Sequence, residues 1–131
     1  MIANRSVPSS TVIPELPYED VAQASDWLCR AFGFRERLRI GDHRAQLVFG
    51  DGAVILTSRK PTQRADVLVR VGDADRHHEQ AKRSGARILQ PPTDHPYGER
   101  QYTAEDLGGH VWTFSQSIAD VDPASWGGTL R

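Results

Sequence analysis

Five histidines, one cysteine and a scatter of carboxylates are the side chains here that could do metal, nucleophilic or proton-transfer chemistry. Their spacing limits what can be assembled. His77 and His78 are neighbours in a helical stretch, so they point about 100° apart and do not converge on a metal as a pair at i, i+4 would. One reads as a core-edge histidine and the other as partly exposed. His43 falls in a turn and His95 in a Pro-rich loop, while His110 follows Asp106-Leu107-Gly108-Gly109 and reads as bonding back to that acidic turn. Cys29 adjoins Arg30 in a helical stretch with no base identified for it, which makes it core packing rather than a nucleophile. As the only cysteine it can form neither an intrachain disulfide nor a thiolate cluster. There is no Gly-rich phosphate loop and no GxSxG elbow. Asp66, Glu15 and Tyr102 stay open as acid–base groups, because a carboxylate in an apolar recess holds its proton to higher pH.

The elements that must position these groups recur. Thr11 to Glu15 reads as a short strand, and Asp20 caps a helix whose apolar residues Val21, Ala24, Trp27, Leu28, Ala31 and Phe32 recur at helical spacing until Gly33 ends it. Strands follow at Phe34 to Ile40, where Arg35, Arg37 and Arg39 alternate with apolar residues to leave one wet face. Two more run from Arg44 to Phe49 and from Ala53 to Ser58, joined by an Asp51-Gly52 hairpin signal. After a polar linker the order repeats: a strand from Asp66 to Val71, and a helix from Asp73 through Ser84, ended by Gly85. A strand from Ala86 to Gln90 is stopped by Pro91-Pro92, and a last hairpin pairs Arg100–Ala104 with His110–Gln116. Asp20 and Asp73 stand 53 apart, Gly33 and Gly85 stand 52 apart, and Gly52-Ala53-Val54-Ile55-Leu56-Thr57-Ser58 sets against Gly109-His110-Val111-Trp112-Thr113-Phe114-Ser115 at 57. The fold class is therefore α+β, with two βαβββ modules. The expected divisions are a polar, Pro-containing and loose arm over 1–10, a first module over 11–58, a linker over 59–65, a second module over 66–117 and a tail over 118–131.

At 131 residues and 38% hydrophobic content, the chain suits one domain or two small halves and is not a disordered sequence. Its 16 basic and 17 acidic residues leave a net charge of −1 with no basic stripe, which argues against a nucleic-acid partner. No apolar run approaches the length of a membrane span, and the N-terminal stretch does not read as a signal peptide. A reduced, cytoplasmic setting is the expectation.

Three segments, YEDVAQASDWLCRAFGF, VGDADRHHEQAKRSGARI and YGERQYTAEDLGGHVWTFS, together with the doubled βαβββ order, resemble the vicinal-oxygen-chelate superfamily over residues 11 to 116. That superfamily holds glyoxalases, ring-cleaving dioxygenases and bleomycin-resistance proteins. The turn departs from its commoner DPDG, with Leu107-Gly108 in place of Pro-Asp. The resemblance implies two cupped sheets facing a shared cavity, often in a homodimer, and in the enzymes a divalent metal held by His, Gln or Glu from the first and fourth strands of each half. The offsets put those positions at Ile13, Leu56, Asp66 and Thr113, of which only Asp66 is a strong donor, so no metal and no cofactor is expected.

The residues expected to line the cup instead are Leu47, Phe49, Val54 and Leu56 in the first half, and Asp66, Leu68, Arg70, Val111, Thr113 and Ser115 in the second. Trp112 and Phe114 fall on the opposite face, under the helices. Glu15, beside Ile13, and Arg100 and Tyr102, if their face is the concave one, would orient a ligand, with Tyr97 and Trp126 as lids. The favoured function is non-catalytic capture of a hydrophobic or aromatic small molecule by a homodimer, as in antibiotic sequestration. The rival is a metal-dependent lyase, isomerase or dioxygenase of the glyoxalase type.

Overall fold

A computed structural model describes residues 2–131. The chain divides into two compact units, the first ending at Ala65 and the second beginning at Asp66. The first contains β1 (Glu15–Tyr18), α1 (Val21–Phe32), β2 (Arg35–Ile40), β3 (Arg44–Phe49) and β4 (Gly52–Ser58). Its four-stranded sheet has the order β1-β4-β3-β2, with β1 parallel to β4 and the other pairs antiparallel. The second contains β5 (Asp66–Arg70), α2 (Ala74–Arg83), β6 (Arg87–Asp94), β7 (Glu99–Glu105) and β8 (Val111–Ser117), in the matching order β5-β8-β7-β6. Two βαβββ modules of the same topology are present.

Each helix starts and stops where its sequence requires. The Asp20 carboxylate accepts the backbone N–H of Gln23 at 2.9 Å, and Asp73 does the same for Arg76 at 3.0 Å, satisfying N–H groups that the first turn leaves without partners. Gly33 takes φ of 81°, a conformation costly for a residue with a Cβ, and donates its N–H to the Cys29 carbonyl. Val21, Ala24, Leu28, Ala31 and Phe32 form the buried stripe of α1, where each large side chain contributes about 1.5–3 kcal/mol by leaving water. Cys29 lies along this helix, and burial pushes its thiol up, away from the thiolate form a nucleophile needs.

Two strands differ from expectation by more than a residue at one end, both at prolines. β1 begins at Glu15 rather than Thr11, although its pairing is prefaced by the Ile55 N–H donating to the Pro14 carbonyl at 2.9 Å. β1 is an edge strand, so Pro14 and Pro17 cost the sheet no interior ladder bond. β6 is the other unit's edge, and it runs through Pro91-Pro92 to Asp94 with register shifts on either side of Gln90. The two-residue turn before β4 is Gly50-Asp51 rather than Asp51-Gly52, with Gly50 supplying a φ of 57°. The N-terminal arm is not loose. The Arg37 guanidinium donates to the Arg5 carbonyl, the Gln46 amide to the Ser6 carbonyl (both 2.9 Å), and the Ser10 hydroxyl to the Asp51 carbonyl (2.7 Å).

Candidate functional site

Each sheet has one face under its helix and one face open. In the second unit the helix-covered face carries Tyr102, Ala104, Trp112 and Phe114, all fully buried. The His77 ring lies 4.2 Å from the Phe114 ring, centroid to centroid, and its Nδ1 is hydrogen-bonded to the Tyr102 hydroxyl. Arg100 lies on the same side, bonded to Asp75 beside the start of α2 at 3.0 Å and to Asp94 at 2.7 Å. Arg100 and Tyr102 therefore face the helix and do not orient a ligand on the open face. Burial also pushes the Tyr102 phenol well above its ordinary range, which removes it as an acid–base group at neutral pH.

The open face of the second unit is a hydrogen-bonded polar floor with two apolar side chains, Val111 and Leu68. The parallel β5–β8 pairing sets Asp66 beside Val111, Leu68 beside Thr113 and Arg70 beside Ser115, as alternation predicts. Across β7 the Thr103 and Thr113 hydroxyls meet at 3.3 Å, the Gln101 amide donates to the Ser115 hydroxyl at 3.0 Å, and that hydroxyl donates to Glu99 at 2.7 Å. Arg70 bonds the Ser117 hydroxyl and stands 3.8 Å from Glu99. Hydrogen bonds from Ser117 and Ser115, with Arg70 nearby, hold the Glu99 carboxyl below the usual carboxylate range. Leu68 stands on this floor 61% exposed. Glu99, Gln101 and Thr103 were not among the sequence-derived site residues. Their alternation with Arg100, Tyr102 and Ala104 was the signal that places them.

At one end of this floor an aromatic group gathers. The Tyr97 hydroxyl donates to the Gln101 amide oxygen at 3.0 Å, and its ring stacks on His95 at 5.1 Å. Trp126, in a short 3₁₀ turn over Pro123–Trp126, brings its half-exposed indole to 5.2 Å from Tyr97. Gly98 makes that approach by the tail feasible. Its carbonyl accepts the Ile118 N–H at 2.8 Å, and a Cβ there would sit 2.4 Å from the Ala119 carbonyl oxygen.

In the first unit the assignment of faces has to be reversed. Leu47, Phe49, Val54 and Leu56 do share a side, but it is the side under α1, with Leu16 and Ala45; Leu47 and Leu56 are fully buried and Phe49 packs on Phe34. β4 is apolar on both faces, with Ala53, Val54, Ile55 and Leu56 all buried, so alternation alone could not say which pair was open. The open face holds Glu15, Arg44, Gln46, Val48, Ala53, Ile55 and Thr57, with Glu15 paired to Arg44 at 3.1 Å. Ile13 precedes β1, half-buried, in the parity of Glu15.

This reversal moves one of the four inferred chelating positions. Glu15 and Leu68 each stand five residues before a helix-capping aspartate, and they pair with Ile55 and Thr113 respectively. Ile55, not Leu56, is thus the counterpart of Thr113, at an offset of 58. The two turns explain the slip. Two residues separate the paired Phe49 and Gly52, but five separate Glu105 and Val111, and an odd difference in length inverts every side chain that follows. The corrected set Ile13, Ile55, Asp66 and Thr113 does not fit a divalent cation, because two members have no donor atom and the Thr113 hydroxyl is engaged by Thr103. Among the described residues no three His, Cys, Asp or Glu side chains gather closely enough to hold a metal ion.

The sequence pattern of the Glyoxalase/Bleomycin resistance protein/Dioxygenase superfamily matches residues 11–114. The chain belongs to that superfamily. Among solved structures it is similar to TioX from Micromonospora sp. ML1, with 38% identity, a TM-score of 0.76, and coverage of 84% of this chain and all of that one. Two other members of the superfamily share the fold. A glyoxalase/bleomycin resistance protein/dioxygenase from Nocardioides is 14% identical, with a TM-score of 0.70 over all of this chain and 93% of its own. A family enzyme from Burkholderia phytofirmans PsJN is 16% identical, with a TM-score of 0.70 over 84% of this chain and all of its own. A comparison with curated proteins returns no match. No helix is long and apolar enough to cross a membrane among the described residues.

Proposed function

We propose that this superfamily member is a binding protein that captures a hydrophobic or aromatic small molecule reversibly, without turnover, on the open face of its second unit. The observation that carries the reading is Leu68, 61% exposed on the edge strand of a floor of hydrogen-bonding groups that Tyr97 and Trp126 flank at one end. An exposed apolar side chain beside hydroxyls and amides supplies area for a flat ligand, and the Tyr97 and Trp126 rings supply stacking. The Gln101 amide and the paired Thr103 and Thr113 hydroxyls, each with one partner already, would orient it with their remaining hydrogen-bonding capacity. Ile13 and Ile55, at positions where superfamily enzymes place metal donors, suit sequestration, which requires no chemistry. Drug binding of the antibiotic-resistance type, as a homodimer in the cytoplasm, is the biological form of this reading.

Isothermal titration against a panel of aromatic antibiotics tests it. A bound compound should lose about tenfold in affinity with Leu68→Asn, the equivalent of one leucine's contact area, while the melting temperature hardly moves because Leu68 is already in water. Absence of binding across the panel by folded protein would overturn the reading.

A further inference from the structure

The first unit carries a feature independent of that floor. The three alternating arginines of β2 do not share a face, because the strand shifts register between Glu36 and Leu38. The bulge sends Arg39 to the helix side, where Asp26 at 2.9 Å and Glu36 at 2.6 Å neutralise it. Arg35 and Arg37 stay on the open face. Arg37 places its donors on neutral oxygens, the Gln46 amide and the Arg5 carbonyl, and the Arg35 side chain makes no hydrogen bond or ion pair among the described residues. Arg5, brought in by the arm, has no carboxylate partner either. All three line one cavity of about 730 Å³ between the arm and the β3–β4 end of the sheet. Val7, Pro8 and Val48 supply apolar wall, and Asp51 at the hairpin tip is the one carboxylate on the lining.

Three arginines against one carboxylate give the lining a surplus of positive charge, and Arg5 and Arg35 are exposed, where a ligand can reach them. The volume is in the range of small-molecule pockets and far larger than an inorganic ion needs. We infer that the cavity under the N-terminal arm binds a small organic carboxylate, its charged head on Arg35 and Arg5 and its apolar body against Val7, Pro8 and Val48. The planar guanidinium fork matches a carboxylate bidentately, which favours this head group over a compact anion. The arm then serves as one wall of the site, fixed by Arg37 and Gln46 through the main chain of Arg5 and Ser6.

The test uses 1-naphthoate as probe, with neutral 1-naphthamide as its uncharged match, in isothermal titration of the full chain. Naphthoate should bind and naphthamide should bind at least about tenfold more weakly, the value of one hydrogen bond to a charged group. Arg35→Gln should weaken naphthoate by about the same factor, while Arg39→Gln, which removes the neutralised arginine of the same strand, should leave it unchanged. Arg35 holds nothing else in place, so its variant keeps the fold, and a circular-dichroism melt verifies that. Equal affinity for the acid and the amide, or equal effects of the two arginine variants, would overturn the inference. So would an absence of naphthoate binding at millimolar concentration. Leu68→Asn should not change naphthoate affinity, so this result and the fate of the second unit's floor are read separately.

Discussion

The two units solve the same topology with opposite treatments of their open faces. The first covers its face with its own arm, and the buried Gln46 side chain bonds that arm's main chain and Arg37. The second lets the polar groups of its face bond one another, Thr103 with Thr113 and Gln101 through Ser115 to Glu99. Their helix-covered faces differ far less: Leu47, Val54 and Leu56 in one and Tyr102, Trp112 and Phe114 in the other are nearly or completely buried. Packing against a helix is what the topology requires of both copies. The open face carries no such requirement, and it is there that the chemistry of the two halves separates.

The hairpins give the sharpest way to break this comparison. The five-residue turn of the second unit is built around Asp106, nearly buried, whose carboxylate accepts the Gly108 and His110 N–H groups at 2.9 and 3.0 Å and the Trp112 indole N–H at 2.9 Å. The bond to His110 is thus made by its backbone. Asp106→Ala strands these donors and should cost about 3 kcal/mol in urea denaturation, whereas Asp51→Ala in the exposed two-residue turn should stay within about 0.5 kcal/mol. Similar losses at both would show that the buried carboxylate does not organise the second turn.

Gly98→Ala comes next. It combines a φ of 83° with a Cβ driven into the Ala119 carbonyl, and should cost about 2 kcal/mol. Backbone here cannot step aside as a flexible side chain would, so the tail should detach and carry Trp126 away from Tyr97. A red shift of tryptophan emission would report that separation, and unchanged emission with unchanged stability would mean the tail does not depend on Gly98.

Much of this was legible in the residues. Asp20 and Asp73 with Gly33 and Gly85 announce two helices of one kind, because caps act through local backbone geometry that tertiary packing does not override. The second unit's faces were legible for a similar reason: Asp66, Leu68 and Arg70 alternate cleanly, and Trp112 and Phe114 need a roof. The first unit's faces were not, because β4 is buried on both sides and the discriminating residue, Gln46, sits one strand away. Arg37 and Arg39 part company at a bulge, which no alternation rule anticipates. The arm read as loose because its anchors are main-chain carbonyls, which any sequence can offer.

The smallest expected effect concerns protons on the second unit's floor. Glu99 is held below the ordinary glutamate value by the Ser117 and Ser115 hydroxyls first and by Arg70 after them. A carboxyl whose folded-state pKa is depressed stabilises the fold above its unfolded value, near pH 4.3, and that contribution is lost as pH falls through the lower folded value. Glu99→Gln keeps an acceptor for the serine hydroxyls but does not titrate, so it should be slightly less stable than the parent at pH 7 and should close the gap below about pH 4. Urea denaturation at the two pH values measures the difference. The first unit's open-face carboxylate, Glu15, lies half-exposed against Arg44 and is the natural comparison. Glu15→Gln should change stability at pH 7 by no more than about 0.5 kcal/mol, because an exposed ion pair is screened by solvent. A Glu99→Gln cost that is the same at both pH values would mean that the second floor's hydroxyls do not hold that carboxyl down.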